Sequence, residues 1–261
     1  MKARSRSSSI PTRHSESSRK SKSQQQFLPN RGWTCRQCLT ELRRLGSHKN
    51  VEGMARFGIR ARNVYGVSKP KMDVLARRVG KNHLLARQLW NSGVHDARIL
   101  AGMVDQAKLV TTAQMDRWVR DFDNWDVCDG TCCHLFAHTP LAWPKALQWS
   151  RRSPEFQKRA GFALMAHLAG HDKLASDHKF VKLLPVIRRQ ARDDRNFVGQ
   201  AINWALRQIG KRNLNLNRAA IREAERVRRI DSSIARWIAA DALRELRSEA
   251  VQRRLRQKSA N

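Results

Sequence analysis

An all-α fold is predicted for this chain by three features of its sequence. Ala, Leu, Arg and Gln dominate from about residue 33 onward. β-Branched runs and period-two alternation are scarce, which argues against a sheet. Short breakers divide the apolar-periodic stretches: "GVSKP" at 66–70, "NSG" at 91–93, "TP" at 139–140 and "SP" at 153–154. Between them fit roughly a dozen helices of about ten to seventeen residues, close to ordinary helix lengths. Ser68, Thr111, Ser153 and Asp231 stand as candidate N-caps, since their side-chain oxygens can accept from the orphan amides of a first helical turn.

Residues 1–32 differ in texture. "MKARSRSSSIPTRHSESSRKSKSQQQFLPN" is rich in Ser, Lys, Arg and Gln and nearly free of large apolar side chains. Such a segment cannot bury enough surface to offset its ordering entropy, so it is read as a flexible basic arm. Residues 33–250 form the helical domain in this reading, and residues 251–261 a basic C-terminal tail.

Within the domain the helices echo one another. "EFQKRAGFALMAHLAG", "NFVGQAINWALRQIG" and "SIARWIAADALREL" share a polar residue, a small apolar core and a leucine near the end. Aligning Arg159, Gln200 and Arg236 gives separations of 41 and 36 residues, and "DARILAGMV" at 96–104 is a weaker earlier copy. A period near forty with two helices per unit is the mark of HEAT-type stacking. Each pair cannot bury its apolar face alone, so the pairs are expected to stack into an α-solenoid with a concave, basic surface.

Charge points to the partner. The 261 residues carry 52 Lys+Arg against 22 Asp+Glu, a formal net charge of +30 with a pI near 11.5. A surplus of this size exceeds what solubility needs and suits a polyanion, of which nucleic acid is the commonest. The five cysteines make no even, spaced disulfide framework, and no stretch reads as a signal core or membrane span. A monomer with no membrane partner is expected, in the cytoplasm and associated with DNA. There is no phosphate-binding Gly loop, no G-x-S-x-G and no dinucleotide fingerprint, so no cofactor is expected.

Against this basic background, "FDNWDVCDGTCCHLF" at 122–136 is conspicuous. Asp121, Asp123, Asp126 and Asp129 crowd together with Trp125 among them. Trp125 and Asp129 stand four apart, which on a helix puts them on one face. From spacing alone two readings stand. An aromatic plate beside a carboxylate suits a cationic or sugar-like group; equally, Trp125 is core and Asp129 caps a helix or pairs with an arginine. Cys128, Cys132, Cys133, His134 and His138, and the Cys35–Cys38 pair, lack the paired knuckles of a structural zinc site and are read as buried thiols and surface histidines, with no metal. The tryptophans at 33, 90, 118, 143, 149 and 237 are read as core or inter-repeat packing.

The order "FDNWDVCD", "EFQKRAGFALMAHL", "NFVGQAINWALRQIGK", with "MARFGIRARNVYGVSKPKMDVLAR" at 54–77 before it, resembles the HEAT-like-repeat DNA alkylation-repair glycosylases, the AlkD-like family. The resemblance covers roughly residues 50–245. It implies a glycosylase that removes cationic N7- and N3-alkylated purines, 7-methylguanine and 3-methyladenine, from duplex DNA without a deep base pocket. It further implies catalytic roles for Trp125, Asp129, Arg159 and Trp204, with Arg159 on a phosphate and with Phe197, Gln200 and Trp204 also at the DNA. Where family members often carry two aromatic residues ahead of the later Trp, this chain has Asn196 and Phe197. A HEAT-like nucleic-acid-binding protein without catalysis is the alternative; an acid retained on a basic face favours the enzyme.

Overall fold

The computed structural model describes residues 32–59 and 61–260. The basic arm expected over residues 1–32 lies, apart from Gly32, outside the described residues. Fifteen α-helices and two short 3-10 turns occupy the described residues, with no β-strand among them. The helices are α1 (Cys35–Leu45), α2 (His48–Arg56), α3 (Lys69–Val79), α4 (His83–Asn91), α5 (His95–Val104), α6 (Thr112–Arg120), α7 (Trp125–His134), α8 (Ala142–Trp149), α9 (Glu155–His171), α10 (Asp177–Val181), α11 (Leu184–Gln190), α12 (Asn196–Gly210), α13 (Leu214–Arg228), α14 (Ser233–Leu246) and α15 (Glu249–Ala260). α2, α4, α6, α8, α10 and α11 are shorter than the ten residues expected from the sequence.

Helix starts follow local chemistry. Thr34 and Gln37 close a capping box on α1, and Asn82, Thr111, Asn124, Asn213 and Ser232 each accept from an amide in the first turn of their helix. Of the four expected caps, Thr111 caps α6 through its side chain and Ser68 holds the N-cap position of α3 without a side-chain bond. The other two are displaced by one residue. Pro154 rather than Ser153 precedes α9, and Ser232 rather than Asp231 caps α14, leaving Asp231 to pair with Arg236.

The echoing segments become one row of helices. α5 packs on α7, α7 on α9, α9 on α12, and α12 on α14, while α4, α8, α11 and α13 each pack against their partner in that row. This is the helix-pair stacking that the near-forty-residue period predicts. α9 is the central member and is apolar nearly all round, with Ala160 through Ala166 buried without a break. Its Gly161 permits a close approach of the end of α8. A Cβ there would stand 2.3 Å from the Ser150 nitrogen, so α8 and α9 touch backbone to backbone.

Aromatic rings fill the layer behind α7. Trp90 and Trp118 stack with ring centroids 4.0 Å apart and planes within 4°, and Phe122, Phe136 and Trp149 continue the cluster. Trp237 departs from the expected packing role, being 45% exposed on α14. Residues 251–261, read from composition as a tail, are helical in α15 as far as Ala260, and Leu255 is buried at 1% exposure.

Candidate active site

α7 begins at Trp125 because Asn124 caps it, its side chain accepting from the Val127 amide. Asp129 follows one turn later on the same face, half-buried where α7 meets α9. From α9, Arg159 closes a two-point ion pair on it: Nε donates to Oδ1 at 2.9 Å and Nη2 to Oδ2 at 2.6 Å. The third direction of the guanidinium is used as well, Nη1 donating to the Phe197 carbonyl at the start of α12 at 2.6 Å. Three successive helices of the row are thus tied through one arginine.

Burial pushes the Asp129 carboxyl above the ordinary carboxylate value, and the Arg159 hydrogen bonds and charge pull against that rise. Arg159 is only 5% exposed, so its guanidinium is turned inward on Asp129 and the Phe197 carbonyl rather than projecting toward solvent. Of the spacing-based alternatives, pairing of Asp129 with an arginine is what the geometry contains, and Trp125 is half-buried rather than core.

A loop from the N-terminal helices completes the site. The Trp125 indole Nε1 donates to the Phe57 carbonyl at 2.8 Å. Next to Phe57, Gly58 takes φ +79°, a conformation that favours glycine, and a Cβ there would stand 2.8 Å from Phe197 Cζ. Phe197 in turn packs against Phe156 with centroids 5.6 Å apart. Beside Trp125 opens a cavity of about 630 Å³ lined by Met54, Phe57, Lys69, His95 and Asp126. Asp96 at the start of α5 shapes its wall, its carboxylate accepting from the Tyr65 and Val67 amides at 2.7 and 2.8 Å.

Further along the row, Trp204 on α12 is half-buried, its ring edge-on to His167 of α9 at 4.9 Å between centroids. Burial, aided by the neighbouring His171, pushes the His167 imidazole down to about 4. Gln200 lies exposed one turn before Trp204 and bonds to Asn196, and Arg236 at the equivalent repeat position is also exposed.

The other acids of the cluster serve the frame. Asp121 accepts from the Trp90 indole at 2.8 Å, Asp123 from Asn124 at 2.6 Å, and Asp126 lies 3.1 Å from His95 Nε2. Cys128 and Cys132 are buried with their thiols toward the Phe156 and Ala160 carbonyls, and burial lifts Cys38 to about 11. Sequence reading missed the Phe57 carbonyl, Gly58, His95 and His167. The "RFG" at 56–58 carried a usable signal, a glycine directly after an aromatic between two helical stretches.

Fold and site together define a class: a helical-repeat protein of the HEAT-like kind with a carboxylate, an arginine and two indoles along one row of helices. Residues 38–246 match the family described as "DNA alkylation repair enzyme", most of the chain, and the protein belongs to that family. A solved structure described as "A new family of proteins related to the HEAT-like repeat DNA glycosylases with affinity for branched DNA structures" is similar at 20% identity and a TM-score of 0.70. The similarity covers 82% of this chain and 95% of that one. No curated protein matches the sequence. Among the described residues no helix is long and apolar enough to cross a membrane.

Proposed function

We propose that the protein is a monofunctional DNA glycosylase that hydrolyses the N-glycosidic bond of cationic N7- and N3-alkylated purines in duplex DNA. The observation that carries this reading is the Asp129 carboxylate, held at two points by Arg159 on the face that also bears Trp125. An alkylated purine already carries positive charge and departs as a neutral base with the bond electrons, so no general acid is needed. The charge that remains, on the deoxyribose as C1′–N breaks, is what the protein has to stabilise. Asp129 faces that cation and takes the proton released when water adds to C1′. Trp125 and Trp204 offer ring faces to the sugar and its neighbours, and Phe197 and Gln200 flank the DNA at the head of α12.

Magnitudes favour an electrostatic role. A carboxylate at ~4 Å from a unit charge, at an effective dielectric of about 20, contributes ~4 kcal/mol. Arg159 on its far side, at ~8 Å, returns ~2 kcal/mol of repulsion on the same estimate. The net ~2 kcal/mol corresponds to a rate gain of ~30-fold. The arginine therefore moderates the anion while fixing its direction, and we assign Arg159 to orienting Asp129 in the resting protein; a phosphate contact uses the two N–H groups left over. The excess of basic side chains supplies sequence-independent duplex affinity.

A second reading, HEAT-like DNA binding without catalysis, is favoured by one observation: both Asp129 oxygens are already engaged by Arg159. Release of free 7-methylguanine from methylated duplex DNA by the full chain separates the two. Turnover above the spontaneous rate supports the glycosylase, and tight binding with no release supports the binder.

A further inference from the structure

We propose that Cys133, His167 and His171 form a binding site for a transition-metal ion of the zinc class, bridging α7 one turn beyond Asp129 and α9 two to three turns beyond Arg159. Three observations bring these residues together. One ligand atom from each lies within 4.8 Å of the other two. His167 and His171 stand four apart on α9, so one face presents both rings, whose centroids are 5.9 Å apart. The Nε2 of His167 is buried and has no hydrogen-bond partner, an uncommon condition for a buried polar atom and one that a metal bond relieves.

The two helices that carry the ligands lie side by side. Cys128 and Cys132 on α7 approach the carbonyls of Phe156 and Ala160 on α9, so the helices run alongside one another with a fixed offset. Cys133 follows on α7, one turn beyond Asp129 on the face that also carries Trp125. His167 and His171 lie further along α9, and their rings reach the Cys133 side chain from there.

Chemistry narrows the ion. One thiolate with two imidazoles is a soft-to-borderline donor set, suited to Zn²⁺ or Co²⁺ and poorly suited to Mg²⁺ or Ca²⁺. With Zn–S near 2.3 Å and Zn–N near 2.0–2.1 Å, tetrahedral ligand atoms stand about 3.3–3.6 Å apart. The ligands must therefore close in by roughly 1 Å from the present limit. His171 can provide this, because it is exposed and ends α9; its ring stands edge-on to His138 at 5.5 Å between centroids and has solvent on its open side to turn into. Three protein ligands leave the fourth position to solvent on the His171 side. Since Trp204 packs edge-on against His167, metal loading also fixes the indole that the glycosylase reading places at the DNA. The metal proposal itself does not depend on that reading.

The test uses the full chain, stripped with a chelator and titrated with Co²⁺ as a spectroscopic probe. The expected result is one equivalent bound, with tetrahedral d–d bands and a near-ultraviolet thiolate-to-cobalt band, and a higher Tm for the loaded protein. Cys133→Ser abolishes the thiolate band. His167→Gln weakens cobalt binding by more than the roughly 10–100-fold that loss of a mere supporting partner costs. Cys35→Ser and His138→Ala leave the spectrum unchanged. Absence of stoichiometric binding overturns the site, as does a thiolate band that survives Cys133→Ser or disappears in Cys35→Ser. Because the readout is spectral and thermal, an inactive glycosylase that binds cobalt in this way sinks only the functional reading.

Discussion

Asp129 on α7 and Arg159 on α9 stand thirty residues apart in the chain and meet through two parallel hydrogen bonds of 2.9 and 2.6 Å, with the guanidinium almost fully buried. A buried pair of this geometry is costly to break from either side, because the partner left behind keeps its charge without compensation. Stability and chemistry are therefore coupled at one contact.

Replacing Asp129 by Asn removes the anion and leaves Arg159 facing the developing sugar cation. The full ~4 kcal/mol attraction is lost while the repulsion stays, so 7-methylguanine excision is expected to fall ~10²–10³-fold. 3-Methyladenine, the more labile base, loses less. Unfolding free energy drops by about 3 kcal/mol or more as the guanidinium is left unpaired, and DNA affinity holds. Asp123→Asn, at an exposed position hydrogen-bonded to its neighbour Asn124, is the control and keeps wild-type turnover. Equal excision by Asp129→Asn and wild type removes the carboxylate from the mechanism.

Gly58→Ala tests the loop that anchors Trp125. Its φ of +79° and the contact with Phe197 both penalise a side chain, at a combined cost of about 1–3 kcal/mol. The loop is expected to open, cleavage by protease within residues 56–62 to rise about tenfold, and excision to fall in proportion, with little change in Tm. Unaltered protection would show that the loop does not carry the Trp125 contact.

Gly161→Ala probes how α8 packs on the row. Its Cβ meets backbone atoms of Ser150, which cannot swing aside, so urea unfolding should report a loss of about 3 kcal/mol. Gly199→Ala is the comparison. Its Cβ meets the Ile234 side chain, which can change rotamer, and the loss should be clearly smaller.

Asp193 sets an acid limit. Burial alone would raise its carboxyl, but hydrogen bonds from Arg195 and Lys158 outweigh this and hold it at about 2, below the ordinary 3.8. A carboxyl depressed in the folded state contributes stability that is complete above the unfolded value and is lost as pH falls through the folded one. Asp193→Asn should therefore be about 2 kcal/mol less stable than wild type at pH 6. The gap should narrow below pH 4 and close near pH 2 in urea titrations. A gap independent of pH would mean that shape, not charge, is what Asp193 supplies.

Much of the fold was legible because it is local. The segments aligned on Arg159, Gln200 and Arg236 are α9, α12 and α14, and "DARILAGMV" is most of α5, since apolar period and small residues are written into each helix. Cap positions slipped by a residue at Ser153 and Asp231, where a neighbouring Pro or Ser competed for the same role. At the candidate site, the shared face of Trp125 and Asp129 followed from their spacing. The pairing of Asp129 with Arg159, and the nearness of Cys133 to His167, depend on the offset between α7 and α9. No residue announces that offset; it follows from how Gly161 seats α9 on α8 and how the aromatic layer seats α7.

The row of helices has a mechanical consequence. Each member bears chiefly on the next, so the assembly can flex like a leaf spring, with small rotations between neighbours adding up while every helix stays intact. Asp129, Arg159 and Phe197 sit on three consecutive leaves. Bending of the spring by a stiff, curved load changes the gaps between them directly, so strain applied along the whole length of the protein is felt as a pull on one ion pair.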